Sequence, residues 1–235
     1  KSERSESSVT LIHRDQPSGF KAGGLNNAWR RSKAAYFLIL DSDSLVSPDV
    51  CRKLVPEFIH NKKLAYARTK IRATNPRSTL YSAAISASND IQAEYYHPVK
   101  FRFGFVYFNG HNGMVSREAL EAVNGWPEEQ PSEDFDFSMQ AGMLGFDGIS
   151  VDYVTFEQIP DNLNALKVQR KRWSFGTVLS FLTRWRAVKD SSLDWNLKAD
   201  IFLHSYQYIS SIPATMLQFI YPIFVLGMLY TRSWD

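Results

Sequence analysis

The chain has one cysteine, Cys51, among 235 residues. A lone thiol excludes an internal disulfide framework and fits a reducing compartment. No apolar run opens the sequence. "KSERSESSVT" is polar and lacks a signal-peptide core, and with no initiator Met it heads almost directly into an expected strand. The expectation is a piece cut from a longer protein. A net charge of +3 is too slight to imply nucleic acid as a partner. Around Gly19, Gly23 and Gly24 neither G-x-x-x-x-G-K-[ST] nor G-x-G-x-x-G fits, which removes the standard phosphate loops. A calcium loop starting at Asp41 fails as well, because its sixth position is Val46 and its twelfth is Arg52. Repeats, low-complexity tracts and interior linkers are also missing. What remains is the composition of an ordinary folded protein, 44% hydrophobic and 22% charged.

Charge is missing from one region in particular. Between Ile201 and Thr231 there is no Asp, Glu, Lys or Arg. The stretch Ser211 to Tyr230, about 20 residues, has the length of a bilayer-spanning helix. Pro213 and Pro222 would kink it, which membrane helices tolerate. Basic residues crowd the segment upstream (Lys167, Arg170, Lys171, Arg172, Arg184, Arg186) and would keep the globular part in the cytosol. The competing interpretation is a long buried helix of a soluble protein.

The rest reads as an α/β domain. "SSVTLIH" (Ser7 to His13) suits a short strand. A Gly-bearing loop follows, then a helix over Leu25 to Lys33 and a strand over Tyr36 to Leu40, apolar enough to be buried on both faces. This β-α-β pattern predicts a mostly parallel sheet with helices on both faces. "LAYARTKIRA" and "DGISVDYVTFEQI" read as further strands and "FGFVYFNGHNGMVS" as strand and turn. "TLYSAAISASNDIQAEYYH", "REALEAVNG" and "PSEDFDFSMQAGMLG" read as helices. "NALKVQRKRWSFGTVLSFLTRWRAV" reads as one long amphipathic helix.

Four local patterns carry chemistry. Strand Tyr36 to Leu40 runs into Asp41 and Asp43, which stand two apart and can converge on one hard cation such as Mg²⁺ or Mn²⁺. A plain solvated turn explains "DSDSLVSPD" equally well. Lys21 lies in a glycine-bearing loop ahead of a helix start, a place to meet an anion, although surface lysines are common. In "PSEDFDFS", Ser132 is the expected N-cap, with Glu133 and Asp134 in the first turn. There the helix dipole would keep Asp134 ionised. In "QRKRW", Gln169, Arg172 and Trp173 share one helix face and combine a guanidinium with a flat indole. Arg170 and Lys171 point elsewhere and suit membrane headgroups.

In their order along the chain, these patterns resemble the membrane-bound family-2 glycosyltransferases, of which the cellulose, chitin and hyaluronan synthases are the best known. "HRDQPSGFKAGGLNNA" is similar to the family's lysine-glycine stretch ahead of D-x-D. "FNGHNGMVSREALEAVNGW" is similar to its acceptor-side loop and the helix after it. The resemblance covers nearly the whole chain. It implies a GT-A domain over residues 1–163, interfacial helices with Q-x-x-R-W over 164–200, and a transmembrane or membrane-associated segment over 201–235. The implied reaction is inverting sugar transfer from a nucleotide diphosphate sugar, UDP-linked by expectation, to a hydroxyl of a glycan or lipid acceptor.

The resemblance also implies roles. Asp134 is the catalytic base, and Asp41 and Asp43 hold Mg²⁺ or Mn²⁺. Lys21, Asp41, Gln169 and Arg172 bind the nucleotide. Trp173, Glu133, Asn109, Gly110 and His111 form the acceptor side. The implied location is a plasma or bacterial inner membrane with the catalytic domain cytosolic, producing polysaccharide and binding no nucleic acid. The chain departs from the pattern in three places. The family's first nucleotide-binding strand, with its acidic residues for uracil and ribose, would precede Lys1. Ser132 stands where many relatives have Thr, and "NGHN" differs from the loops of the cellulose enzymes. Two other readings stay open, a nucleotidyltransferase and a non-catalytic membrane scaffold that keeps the fold.

Overall fold

A computed structural model describes residues 9–16 and 18–232. Helix α1 (Phe20–Arg31) leads into strand β1 (Tyr36–Ile39) and helix α2 (Val50–His60). Strand β2 (Leu64–Ala73) follows, then helix α3 (Leu80–Ile91), a π-helical segment (Gln92–Tyr96) and helix α4 (His97–Phe103). Strand β3 (Gly113–Ser116), helices α5 (Arg117–Ala122) and α6 (Glu133–Met143) and strand β4 (Asp147–Glu157) complete the α/β part. Two long helices end the chain, α7 (Leu163–Asp190) and α8 (Trp195–Arg232).

The four strands form one sheet in the order β1-β3-β2-β4. β3 runs antiparallel to both β1 and β2, and only β2 and β4 pair in parallel. The sheet is therefore mixed, not mostly parallel as expected. β3 follows β2 only after α3, the π-helical segment and α4, and it enters between two strands that run parallel to each other, against their direction. Helices do cover both faces. Tyr36 and Leu38 of β1 and Met114 of β3 pack with Leu54 and Phe58 of α2. The alternate residues Phe37, Ile39 and Val115 face Ala22 of α1, Leu120 of α5 and Phe137 of α6. This is the period of two that extended chain imposes.

Several expected boundaries moved. The strand expected over Ser7 to His13 lies partly outside the described residues, and Val9 to His13 is not a strand. β1 is the edge strand, and its Tyr36, Phe37 and Leu38 are only half-buried, so the expected burial on both faces does not hold. α1 starts at Phe20, ahead of the expected Leu25, because Gly23 N–H bonds to Gly19 O (2.7 Å) and Ala22 is buried.

α7 is not cleanly amphipathic. Phe181 and Val188 are buried, yet Val168, Phe175 and Leu182 are exposed on the same helix. α8 is about 57 Å long at 1.5 Å per residue and continues through Pro213 and Pro222 as one element. Its first turns pack Leu197 and Ile201 against Phe135 and Met139 of α6 and Phe181 of α7. Further along, Met216, Leu217, Phe219, Ile220, Ile223 and Phe224 are exposed. Among the described residues, no helix is long and apolar enough to cross a membrane.

Candidate functional site

A cleft of about 450 Å³ opens where the sheet's loops meet the starts of α6 and α7. Asp41 and Asp43 stand at its rim on the turn that leaves β1. Asp41 N–H bonds to Ser44 Oγ (3.0 Å), and Ser44 N–H returns to the Asp41 carbonyl (3.0 Å). The expected turn chemistry and the expected carboxylate pair are thus the same structure. Lys21, the second residue of α1, donates to Asp41 Oδ1 at 2.6 Å. Both partners keep about a third of their side chains in solvent (32% and 40%), so the pair is weak in stability terms.

The opposite wall is the start of α6. Ser132 does not cap the helix with its side chain. Its hydroxyl lies against Gly176 of α7, where any Cβ would overlap it. Asp134 accepts from Phe135 N–H at 2.8 Å. Burial raises the Asp134 carboxyl above the usual aspartate range, against the pull of that N–H and of the Lys21 and Arg172 charges. Burial therefore outweighs the helix dipole, which reverses the expected balance. Glu133 is pushed up to about 7, by burial first and then by the Asp134 charge. The two carboxyls titrate as a pair and hold protons more tightly than free acids.

Between these walls runs the loop Asn109–Asn112. Asn109 and His111 line the cleft. Gly110 adopts a left-handed φ of 82°, and a Cβ there would come within 2.8 Å of Asp134 Oδ2. Only glycine fits that approach. α7 closes the cleft with Gln169, Arg172 and Trp173, as their shared helix face predicts. Arg170 does not point elsewhere. It also lines the cleft, and its Cζ lies 4.8 Å from the Trp173 ring centroid. α7 is tied to α6 by Arg184, which donates to both oxygens of the fully buried Asp136 (2.9 and 3.1 Å).

The structure adds residues that no local pattern marked. Glu157, at the end of β4, faces Asp41 and Asp43, and its carboxyl is pushed up to about 7 by burial and then by those two charges. His111 Nε2 lies 3.4 Å from Glu157 Oε2, and burial lowers the His111 pKa. A strand ending in a carboxylate was the available signal, the same one that marked Asp41. His97, Tyr107 and Gln158 line the cleft as well.

The residues also bear on a divalent cation. Among the described residues no three His, Cys, Asp or Glu side chains gather closely enough to hold a metal unaided. Two aspartates at an open rim fit a hard cation whose other positions come from a diphosphate and water. Glu157, raised by burial first and then by the Asp43 and Asp41 charges, adds a third acidic side chain to that rim. A larger open depression of about 670 Å³ beside α1 holds none of the predicted site residues.

Two curated relatives are a probable glucomannan 4-beta-mannosyltransferase 6 of Oryza sativa subsp. japonica and a probable glucomannan 4-beta-mannosyltransferase 15 of Arabidopsis thaliana. The first is 29% identical over 177 residues (72% of this chain, 30% of the relative), the second 30% over 174 (72% and 32%). The chain thus spans about a third of their length. Among solved structures, the mannosyltransferase PcManGT from Pyrobaculum calidifontis, in complex with GDP-Man and Mn²⁺, superposes with a TM-score of 0.57. It is 20% identical, with 79% of this chain and 48% of that one covered. S. aureus TarS 1-349 in complex with UDP-GlcNAc gives a TM-score of 0.51 at 14% identity, covering 79% and 52%. Both likenesses establish a glycosyltransferase-like α/β fold. The model of glycosyl transferase family group 2 matches residues 36–233, and the chain belongs to that family.

Proposed function

We propose that the cleft transfers a sugar from a nucleotide diphosphate sugar to an acceptor hydroxyl with inversion, assisted by a divalent cation. One observation carries this reading: the acidic turn at Asp41 and Asp43, the Glu133-Asp134 helix start and Arg172-Trp173 of α7 all line one cavity. Asp134 accepts the acceptor's proton as that oxygen attacks the anomeric carbon. The bond from the anomeric carbon to the diphosphate breaks, and the nucleoside diphosphate leaves with the electron pair. A single displacement inverts the centre. Asp41 and Asp43 would hold the divalent cation, which when bound would neutralise charge developing at the diphosphate. Arg172 and Lys21 contact the same phosphates, with Gln169 beside them, and Trp173 and the loop at Asn109 face the acceptor. Elevated basicity suits Asp134, because a general base works best near the operating pH and contributes ~10²–10⁴-fold.

The matched relatives carry mannosyltransferase names, and the neighbours' donors are GDP-Man and UDP-GlcNAc. GDP-mannose therefore belongs in the donor panel beside the UDP-sugars, with glycans and lipids as acceptors. The exposed apolar side chains of α8 support membrane association, with the cleft on the cytosolic side as the upstream basic residues imply. Asp134→Asn tests the chemistry. In the intact protein it should bind donor almost as the wild type does and lose turnover by at least ~10²-fold. Near-normal transfer by that variant refutes the base. Released pyrophosphate in place of a nucleoside diphosphate would favour a nucleotidyltransferase, and no metal-dependent nucleotide binding would favour a scaffold.

A further inference from the structure

Arg68 lies in the middle of β2, opposite Gly113 of β3, and its side chain is 1% exposed. Its hydrogen bonds go to the Tyr107 carbonyl (3.1 Å) and to Asn109 Oδ1 (2.9 Å), and its Cζ lies 5.2 Å from the Tyr107 ring centroid. Its Nε is buried with no partner, and no carboxylate forms a salt bridge with it among the described residues. An uncompensated buried guanidinium is a poor stabiliser, because apolar side chains fill such space as well or better. Both residues it grips line the cleft.

The loop it grips needs external ties. Gly110 and Asn112 both have left-handed φ (82° and 49°). Ser138 Oγ accepts from Phe108 N–H (2.9 Å), and Thr69, next to Arg68 on β2, donates its hydroxyl to the Asn112 carbonyl (2.7 Å). Arg68 supplies the tie that reaches a side chain. A guanidinium only donates, so it fixes which end of the Asn109 amide it meets. With Oδ1 held by Arg68, the Asn109 Nδ2 group is left to donate towards the cleft.

We propose that Arg68 is a positioning residue that orients Asn109 as a hydrogen-bond donor to an acceptor hydroxyl, on the wall facing Asp134. This rests on the glycosyltransferase reading above. It acts through Asn109 and touches no substrate.

The test uses the intact protein with three variants, Arg68→Met, Asn109→Ala and Asn109→Asp. Arg68→Met should raise the acceptor KM about tenfold, the scale of one lost hydrogen bond, and leave nucleotide affinity within twofold. Amide hydrogen exchange across 107–112 should quicken while that of α6 stays put. The Arg68→Met/Asn109→Ala double variant should be no worse for acceptor than Asn109→Ala alone, since both remove one interaction. Asn109→Asp keeps a partner for Arg68 and therefore keeps loop protection. It removes the amide donor, so its acceptor KM should still rise. Multiplying effects in the double variant, or a wild-type acceptor KM in Asn109→Asp, would overturn the proposal. Should Arg68→Met fail to fold, the two Asn109 variants decide it. A wild-type protein that transfers no sugar sinks the parent reading. In that case the exchange data alone decide whether Arg68 holds the loop.

Discussion

Glu133 gives the sharpest stability prediction. Its carboxyl sits at about 7 against an ordinary 4.5, chiefly through burial and then through Asp134. At 1.36 kcal/mol per unit, that displacement sets an upper bound of about 3 kcal/mol, and partial solvent contact reduces it to about 1–2 kcal/mol. The folded value lies above the unfolded one. The native state therefore binds the proton more tightly between those two values, and stability falls as pH rises from about 4.5 to about 7. The full penalty persists at higher pH. Glu133→Gln removes the charge and keeps the shape. At pH 8, in metal-free protein, it should raise the melting temperature by about 2–8 °C for a chain of this size. At pH 4 it should change little, because both states of the wild type are then mostly protonated. Scanning calorimetry at the two pH values makes the comparison. An equal gain at both, or a loss at pH 8, would refute the electrostatic argument.

Two further outcomes follow from contacts at the cleft. Lys21→Met frees Asp41 from its 2.6 Å partner, so Mn²⁺ alone should bind severalfold more tightly by paramagnetic resonance titration, while nucleoside diphosphate affinity falls. A weaker Mn²⁺ site in that variant would count against Asp41 as a cation ligand. Asp136→Asn cuts the tie from α6 to Arg184 and should destabilise by roughly 3 kcal/mol in a denaturant melt, since Arg184 loses its buried counter-charge. Unchanged stability would mean that α6 and α7 are held together by packing alone.

Much of this was legible in the sequence where the signal is local. β1 announces itself by apolar content, β2 by its weak alternation, and α6 by its polar start and Gly-bearing end. Asp41, Asp43, Asp134 and Arg172 each carry a short pattern tied to an element boundary. What the sequence hides is non-local. Nothing in "GMVS" says that β3 inserts between two parallel strands, because pairing partners come from distant segments. Arg68 reads as one more charge in an alternating strand, and only the sheet order, with β2 between β3 and β4, buries it to 1% exposure. Glu157 looks like a strand tail until β4 is placed beside the Asp41 turn. Ser132 shows the opposite failure: a good N-cap residue locally, it is turned aside by the close approach of α7 at Gly176.

The most direct measurement is a structure of the intact protein with Mn²⁺ and a nucleoside diphosphate, the metal located by anomalous scattering. One metal peak is expected at Asp41 and Asp43, with a diphosphate reaching from it to Arg172 and the Asp134 carboxylate facing the space where the sugar would lie. A nucleotide bound elsewhere, or a metal remote from the two aspartates, would contradict it.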